Sequence, residues 1–460
     1  MSQKLFGTDG VRGIANKELS PELAFQVAQA AALWMIQSGW TRRVVIGQDT
    51  RLSSPMLEAA VCSGFCSIGV DVVSIGVVPT GCVSYIARTS EYGLGVMISA
   101  SHNPAPDNGI KLIAHNGRKL CDEAEFEIEN LLSSIPKEKP IGRSIGKIER
   151  NRKEIQTYLE YLKSIVPERL DGMHLALDLA HGAAYEIAIE LFEQLGAKVY
   201  VIGGAPNGMN INDQVGATHP ARIQNFTKEV GAELGICFDG DADRVVFSDE
   251  EGRLINGDRA MAIWSTYWHQ NNGLNPAIVV GTVMSNGGFE GYLNSQGIAL
   301  ERTNVGDKYV SQILDQKKAC IGGEQSGHII FSKRGPTGDG LITALEILRV
   351  LKCSRRRMSS FYQDFDSWPQ VLINVQVESK QGWDQSPQVQ KALEEASLKL
   401  HQKGRILVRP SGTQPYIRVM VEANNHEDRD TCADEVVEAI CLAAGGKISS
   451  SVDLTCALGE

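Results

Sequence analysis

A serine–histidine pair lies in a loop whose composition suits the presentation of a nucleophile. The loop, S-A-S-H-N-P-A-P-D-N-G (99–109), separates two apolar runs at 96–98 and 110–112. Its serines, asparagines and prolines form turns, whereas the apolar runs indicate buried strands. Ser101, with His102 beside it and Lys111 ten residues on, could therefore form a covalent intermediate through its hydroxyl. An ordinary polar loop has the same composition, so this stretch alone does not decide between the two.

The segment D-G-D-A-D-R (239–244) carries carboxylates at every second position. This spacing places Asp239, Asp241 and Asp243 on one side of an extended or turning chain, where their charges repel unless a cation joins them. Ligands that are all oxygen select a hard cation, Mg²⁺ or Ca²⁺. A calcium loop is rejected, because Glu250, at the required distance, lies beyond the strand predicted at 245–247. A solvated acidic turn remains the alternative to a metal site.

A loop near the C-terminus, R-P-S-G-T (409–413), combines a guanidinium group with hydroxyl groups and an exposed backbone N–H. Such donors together form a phosphate cradle, whereas a simple hairpin turn would not need all of them. The candidate phosphate-binding residues are Arg409, Ser411, Gly412, Thr413 and Arg418.

Two glycine-rich loops could complete a site. G-E-Q-S-G-H (323–328) offers Glu324, Ser326 and His328 at alternate positions, and sugar hydroxyls need such paired acceptors and donors. F-G-T-D-G-V-R-G (6–13) sets Arg12 among glycines that let the backbone approach a ligand closely. A structural histidine and a tight turn with a solvated arginine are the respective alternatives.

The elements that must position these loops alternate between strand and helix. Predicted strands at 43–47, 71–78, 173–179 and 233–238 alternate with helices, including one at 183–195, which indicates α/β domains with largely parallel sheets. Ligands gather at the carboxyl ends of such strands, where Arg51 and Ser101 fall. Composition changes along the chain predict four domains, at 1–150, 151–255, 256–366 and 367–460.

Composition narrows the class of protein. The net charge of −10 argues against general nucleic-acid binding, and the basic run at 355–357 is predicted to cap a helix C-terminus. Ten cysteines without CxxC or zinc-like spacing indicate a reduced, intracellular protein. No apolar leader and no run of the ~20 apolar residues that a membrane helix needs is present, so we expect a cytoplasmic protein without membrane contact.

Taken in order, these motifs resemble those of the α-D-phosphohexomutase superfamily over nearly the whole chain. Within it, four segments resemble the bacterial phosphoglucosamine mutase subfamily rather than the phosphomannomutases. They are A-H-G-A-A-Y (180–185), N-I-N (210–212), T-H-P (218–220) and N-V-G-D-K-Y-V (304–310). The resemblance implies a heart-shaped molecule of three similar α/β domains and a smaller α+β C-terminal domain, with one loop from each domain at a central site.

The resemblance also implies a role for each matching residue. Ser101 would carry the phosphoryl group as phosphoserine and bind one Mg²⁺ per subunit together with Asp239, Asp241 and Asp243. Lys111, Arg12 and His328 would line the reacting centre. Arg244 and the 409–413 loop with Arg418 would hold phosphate, and Glu324 and Ser326 the sugar hydroxyls.

The implied reaction interconverts glucosamine 6-phosphate and glucosamine 1-phosphate through a glucosamine 1,6-bisphosphate, which feeds UDP-N-acetylglucosamine and cell-wall precursor synthesis. A hexose or glucosamine 1,6-bisphosphate would be the activator, and the resemblance leaves a homodimer open. Phosphomannomutase/phosphoglucomutase activity is the alternative within the superfamily. A phosphosugar sensor or a plain phosphatase are alternatives of other classes; the sensor would lack the nucleophile or the metal ligands, and both are present.

Two positions depart from the superfamily pattern. Gln414 stands where a glutamate usually follows the phosphate loop, which removes a negative charge beside a dianion. Gly81 stands where a proline usually follows Pro79-Thr80. Neither touches the reacting groups, so we expect function to be retained.

Overall fold

The structure is a computed structural model that describes residues 5–7, 9–166, 168–401, 403–411 and 415–455. The chain divides into two compact units. The first contains Met1–Val283 and Glu301–Tyr362, and the second contains Met284–Leu300 and Gln363–Glu460. Among the described helices, none is both long enough and apolar enough to cross a bilayer.

The first 150 residues form a six-stranded mixed sheet with the order β1-β5-β4-β2-β3-β6. Its elements are β1 (Val11–Ile14), α1 (Pro21–Gln37), β2 (Arg43–Gln48), α2 (Ser54–Ser67), β3 (Asp71–Val77), α3 (Thr80–Thr89), β4 (Leu94–Ile98), β5 (Asp107–Ala114), α4 (Asp122–Leu131) and β6 (Ile148–Arg150). Strand β2 runs parallel to β3 and β4, and β5 runs antiparallel to β4 and β1. The parallel pairing brings the ends of β2 and β4, with the loops that follow them, to one edge of the sheet.

The next segment forms a five-stranded sheet with the order β11-β10-β9-β7-β8. Its elements are α5 (Lys153–Ile165), β7 (His174–Asp178), α6 (Ile187–Gln194), β8 (Lys198–Ile202), α7 (Ala221–Glu229), β9 (Leu234–Phe238), β10 (Val245–Asp249) and β11 (Leu254–Ile255). The helix predicted to begin at residue 183 begins at Ile187 instead. The Ala183 N–H donates to the carbonyl oxygen of Gly240, at 2.7 Å, so the residues before α6 serve the 239–244 loop.

The third sheet has four strands in the order β13-β12-β14-β15. The elements of this part are α8 (Gly257–Gln270), β12 (Ile278–Thr282), α9 (Gly287–Ser295), β13 (Ala299–Thr303), α10 (Asp307–Lys317), β14 (Ile321–Gly323), β15 (Ile329–Phe331), α11 (Gly340–Ser354) and α12 (Met358–Tyr362). Helix α9 belongs to the second unit and not to the first. Its first turn is held there by Glu422, whose Oε1 accepts from the Gly287 N–H at 2.8 Å.

The C-terminal sheet is antiparallel throughout, with the order β17-β18-β16-β19. Its elements are β16 (Gln370–Gln376), α13 (Pro387–Lys399), β17 (Gly404–Pro410), β18 (Tyr416–Ala423), α14 (His426–Ala444) and β19 (Lys447–Asp453). One face of the sheet packs against α13 and α14 around Val375, Val389 and Val436, all fully buried. This part therefore has a core of its own.

A buried carboxylate begins α11. Asp339 Oδ1 accepts from the Leu341 and Ile342 N–H groups at 3.0 and 3.1 Å, and Oδ2 accepts from the Tyr158 hydroxyl at 2.7 Å. Burial nevertheless raises the pKa of Asp339 from 3.8 to about 6, because it outweighs these hydrogen bonds. The folded chain therefore holds a proton at Asp339 in a pH range where the unfolded chain has lost it.

We expect the free energy of unfolding of wild type to fall as the pH rises, and we expect the Asp339→Asn variant to lack this fall. Between its unfolded pKa of 3.8 and its folded pKa of about 6, Asp339 binds more protons in the folded state, so stability falls as pH rises and levels off above that range. Across it, wild type should lose up to about 3 kcal/mol relative to the variant. Urea unfolding of both proteins from about pH 4 to about pH 7 measures this difference. Parallel pH profiles would contradict the prediction.

Candidate active site

Ser101 is held in the loop between β4 and β5 in an unusual backbone conformation. Its φ of 53° is in the left-handed region, and its side chain is buried. The hydroxyl donates to Asp239 Oδ2 at 2.6 Å and lies 3.4 Å from His102 Nδ1. Burial, Arg244 and Arg12 lower the pKa of His102 to about 3, so this imidazole is neutral at pH 7. The nucleophile predicted from the sequence thus faces a carboxylate of the other predicted loop.

A fully buried arginine fixes the shape of this loop. Arg51 donates to the carbonyl oxygens of Ser101 at 3.0 Å, Asn103 at 2.8 Å and Asp107 at 2.9 Å. Its Nε donates to Asp49 Oδ2 at 2.8 Å, and neither side chain is exposed. A guanidinium group has five N–H donors in a rigid planar arrangement, so this one side chain holds several carbonyl groups in a fixed geometry.

Replacement of this clamp should affect folding and catalysis together. Arg51→Ala leaves Asp49 as a buried, unpaired carboxylate, so we expect the free energy of unfolding to fall by about 3–5 kcal/mol. Displacement of the Ser101 loop should lower kcat by about 100-fold. Urea unfolding and initial rates measure the two effects. The matched control is Arg169→Ala, which breaks an exposed arginine–aspartate pair of the same spacing and should change neither.

The three aspartates converge in the turn between β9 and β10. Ligand oxygens from Asp239, Asp241 and Asp243 all lie within 4.8 Å of one another. Asp241 Oδ1 and Asp243 Oδ1 are buried, and no atom of the described residues forms a hydrogen bond with either. Two buried oxygens without hydrogens to accept fit a hard divalent cation, since burial of such groups without a partner is costly.

The surroundings shift the pKa values of Asp239 and Asp243 in opposite directions. Burial and the neighbouring Asp243 and Asp241 raise the pKa of Asp239 to about 8. Burial also acts to raise the pKa of Asp243, but Lys111 and His328 outweigh it and hold that pKa well below its ordinary value. Repulsion within the triad therefore acts most strongly on Asp239, the carboxylate that the Ser101 hydroxyl contacts.

Lys111 is the buried cation at the centre of this group. Its Nζ lies 2.7 Å from Asp241 Oδ2, 3.2 Å from Asp243 Oδ2 and 3.1 Å from Asp9 Oδ2, with a side-chain exposure of 1%. Burial acts to lower the pKa of Lys111, but the carboxylates outweigh it, so the pKa is raised well above its ordinary value. Arg12 on β1 forms an ion pair with the same Asp9.

His328 adjoins the triad from the loop after β14. Its Nδ1 lies 3.6 Å from Asp243 Oδ1 and its Nε2 3.7 Å from Asp307 Oδ2, and Nε2 also accepts from the Gly338 N–H at 3.2 Å. Burial acts to lower the pKa of His328, but Asp243 and Asp307 raise it above its ordinary value. The His328 imidazole therefore binds a proton more readily than a free histidine does.

The structure brings seven of the predicted site residues into one cluster in the first unit. The cluster contains Arg12, Ser101, Lys111, Asp239, Asp241, Asp243 and His328. The Arg244 N–H donates to Asp239 Oδ1 at 3.2 Å, so this residue adjoins the cluster. Glu324 and Ser326 lie on the loop that ends at His328, and Glu324 Oε1 accepts from the Gly306 N–H at 2.8 Å.

The predicted phosphate cradle lies in the second unit. Arg409 on β17 and Arg418 on β18 are directly opposite each other in the antiparallel pairing. Burial and Arg418 lower the pKa of Arg409, and two adjacent guanidinium groups favour a bound anion. The Lys380 ammonium adds a third positive charge by donating to the Ser411 carbonyl oxygen at 2.7 Å. Gly412 and Thr413, also predicted here, lie outside the described residues.

Several residues that form ion pairs around this cluster were not predicted from the sequence. Asp9, in the first glycine-rich motif, pairs with Arg12, Lys111 and Lys119. Its position three residues before Arg12 was a usable signal, because an aspartate and an arginine at this spacing can form an ion pair. Lys119 also lies 2.7 Å from Asp307. Nothing in the sequence pattern marked that pair, since both residues are of types that are common on exposed surfaces.

Four models of the phosphoglucomutase/phosphomannomutase family match the chain in order. These are α/β/α domain I at residues 3–139, α/β/α domain II at 156–252, α/β/α domain III at 256–367 and the C-terminal domain at 372–439. The chain belongs to this family, and the predicted α/β class with a smaller C-terminal domain is confirmed. The four exact domain boundaries predicted above stay a prediction.

The particular relatives agree with the subfamily motifs. The chain is 45% identical to the phosphoglucosamine mutase of Anoxybacillus flavithermus over 441 residues, which are 95% of this chain and 98% of the relative. The resemblance to phosphoglucosamine mutases that the motifs indicated is confirmed.

Solved structures share the fold. A phosphoglucomutase/phosphomannomutase family protein from Burkholderia thailandensis has a TM-score of 0.82 at 22% identity, covering 98% of this chain and 100% of that one. Aspergillus fumigatus N-acetylphosphoglucosamine mutase, solved in complex with GlcNAc-6P and magnesium, has a TM-score of 0.62 at 18% identity, with 96% of each chain covered.

Proposed function

We propose that this chain interconverts glucosamine 6-phosphate and glucosamine 1-phosphate. The observation that carries the proposal is the buried Ser101 hydroxyl, 2.6 Å from an aspartate of a three-carboxylate cluster that Lys111 also contacts. Phosphoryl transfer needs a positioned nucleophile and charge neutralisation more than covalent assistance, and this cluster supplies both. The relative at 45% identity, named a phosphoglucosamine mutase, supports this substrate over mannose or glucose phosphates.

The carboxylate cluster fits Mg²⁺, because its two buried oxygens accept no hydrogen from the described residues. Asp239, Asp241 and Asp243 would hold the ion together with Ser101. When bound, the ion would neutralise charge on the transferring phosphoryl group. The magnesium in the structure of the Aspergillus fumigatus enzyme supports this choice of metal.

The proposed reaction cycle starts with Ser101 phosphorylated. As O1 of glucosamine 6-phosphate attacks, the O1–P bond forms, the P–Oγ bond of Ser101 breaks, and Oγ receives the proton that O1 loses. The resulting 1,6-bisphosphate turns end for end. The Oγ–P bond of Ser101 then forms again as the P–O6 bond breaks, O6 receives the proton that Oγ loses, and glucosamine 1-phosphate leaves. Lys111 and Arg12 would bind the phosphoryl oxygens, and His328, whose pKa is raised by Asp243, would exchange protons with the sugar hydroxyls.

The remaining predicted residues bind the parts of the substrate that do not react. Glu324 and Ser326 would hold the sugar hydroxyls, and Arg244 a phosphate. Arg409, Ser411, Gly412, Thr413 and Arg418 would bind the non-reacting phosphate, a role that the facing guanidinium groups of Arg409 and Arg418 support. One cradle serves both orientations of the bisphosphate, since each leaves one phosphate away from Ser101.

The setting of the reaction is part of the proposal. We propose four functional domains with boundaries near residues 150, 255 and 366, a cytoplasmic location, activation by a hexose or glucosamine 1,6-bisphosphate, and a product that supplies UDP-N-acetylglucosamine synthesis. The motif resemblance and the phosphoglucosamine mutase relatives support these points. A homodimer stays open.

A substrate panel tests the proposal. Protein phosphorylated at Ser101 is supplied with Mg²⁺ and with glucosamine, mannose or glucose 6-phosphate, and formation of the 1-phosphate is followed. We expect kcat/KM for glucosamine 6-phosphate to exceed the others by about 100-fold or more. A lead for mannose or glucose 6-phosphate would establish the alternative phosphomannomutase/phosphoglucomutase activity, and no turnover of any of them would contradict the mutase proposal.

A further inference from the structure

The segment Pro79-Thr80-Gly81 at the start of α3 contacts the 239–244 loop, here called the metal loop. It takes no part in the proposed reaction. The Thr80 side chain is buried, with 2% exposure. Its Oγ1 donates to Asp241 Oδ2 at 2.5 Å, and its backbone N–H donates to the Asp241 carbonyl oxygen at 3.0 Å. A single residue thus binds both the main chain and the carboxylate of one candidate metal ligand.

These contacts involve only one of the two carboxylate oxygens of Asp241. Oδ2 receives the Thr80 hydroxyl and also the Lys111 ammonium, at 2.7 Å. Oδ1 is buried and accepts no hydrogen bond from any described residue. With Oδ2 fixed by two donors, the carboxylate cannot rotate without losing both, so Oδ1 is the oxygen presented to a cation.

The local sequence explains why this hydroxyl is held so firmly. Thr80 is the first residue of α3, where backbone N–H groups have no partner within the helix, and the Asp241 carbonyl oxygen satisfies one of them. Its β-branched side chain has few rotamers, so the position of the backbone largely sets that of the hydroxyl.

Gly81 allows α3 to pack closely against the start of α11, a second helix that contacts the 239–244 loop. A Cβ atom at this position would lie 2.1 Å from Asp339 Oδ2, so a larger residue would push α3 away from the start of α11. The first residue of α11, Gly340, donates its N–H to the Ala242 carbonyl oxygen at 2.9 Å. The metal loop is therefore bound by the first residues of two helices, α3 and α11.

We propose that Thr80 is a positioning residue for the metal ligand Asp241, a role that rests on the proposed metal-dependent function. Its hydroxyl orients the carboxylate so that Oδ1 faces the cation. A threonine with a purely structural role behaves differently: at the other end of α3, the Thr89 hydroxyl donates to the Tyr85 carbonyl oxygen of its own helix. Residues that orient metal ligands typically contribute about 10–100-fold to metal affinity.

The experiment measures Mn²⁺ binding by electron paramagnetic resonance, with no turnover involved. Wild type, Thr80→Val, Thr80→Ser and Thr89→Val are compared in one phosphorylation state. We expect Thr80→Val to raise the Kd for Mn²⁺ by about 10–100-fold. Thr80→Ser, which keeps the hydroxyl, should stay within about threefold of wild type. Thr89→Val, the same change on the same helix, should bind Mn²⁺ like wild type.

Each other outcome has a definite meaning. Equal Mn²⁺ affinity in Thr80→Val and wild type would overturn the positioning role, and so would an equal loss in Thr80→Ser. Absence of Mn²⁺ binding in wild type would instead refute the metal-dependent function itself. If Thr80→Val does not fold, Thr80→Ala carries the same comparison, because it removes the hydroxyl without placing a methyl group against the carboxylate.

Discussion

We expect the Ser101→Ala variant to lose the interconversion of glucosamine phosphates almost completely, with kcat lowered on the order of 10⁴-fold or more. In the proposed reaction the Ser101 hydroxyl oxygen carries the phosphoryl group, so its removal leaves no acceptor for that group. The loss should be confined to kcat. Removal of one hydrogen bond to Asp239 should change the free energy of unfolding by only about 1–2 kcal/mol.

Two measurements check this expectation. Initial rates with glucosamine 6-phosphate give kcat, and intact mass after incubation with glucose 1,6-bisphosphate shows whether a phosphoryl group is retained. Wild type should retain one group and Ser101→Ala none. The control is Ser63→Ala, an exposed serine on α2 whose hydroxyl bonds within its own helix. Activity of Ser101→Ala above a few per cent of wild type would assign the nucleophile to another residue.

The second large effect is expected from the Lys111→Met variant. Its activity should fall, whereas its affinity for divalent cations should rise. The ammonium lies within 3.2 Å of Asp9, Asp241 and Asp243, so its removal leaves buried carboxylates without their shared cation. We expect the metal-free protein to lose about 3–5 kcal/mol of stability. Activity should fall by about 100–1,000-fold, because in the proposed reaction Lys111 neutralises the phosphoryl oxygens.

Divalent cations should bind the Lys111→Met variant more tightly, because the loss of a competing positive charge outweighs the loss of one of the two donors to Asp241 Oδ2. We expect the Kd for Mn²⁺ to fall by about tenfold or more. Thermal unfolding with and without Mn²⁺ checks the sign: added metal should raise the unfolding temperature of the variant more than that of wild type. A variant with weaker Mn²⁺ binding would show that Lys111 assembles the triad and does not compete with the metal.

The positions of the two central loops could be predicted from the sequence, because each motif consists of neighbouring residues. The turn composition around Ser101 and the alternating carboxylates of 239–243 placed both loops at strand ends, where the structure has them. The strand–helix alternation likewise predicted the class of the fold. These features depend on periodicity and turn chemistry, which are properties of short segments.

Contacts between distant segments were not predictable in the same way. Thr80 and Asp241 are far apart in the chain, and Pro79-Thr80 looked like an ordinary helix start. The overestimated length of α6 has a similar cause, since the Ala183 N–H bonds to Gly240 instead of starting the helix. In both cases a tertiary partner outweighs the local propensity, and one sequence alone does not show which partner that is.

The membership of α9 in the second unit has a consequence for synthesis on the ribosome. Its Phe289 is fully buried, and its first turn depends on Glu422 at the end of β18. At about 5–20 residues per second, β18 emerges roughly 6–26 s after α9 is complete. During that interval the nascent chain exposes apolar side chains of α9, Phe289 and Leu293, that the folded protein buries. A fragment ending at Tyr362 would keep these side chains exposed permanently.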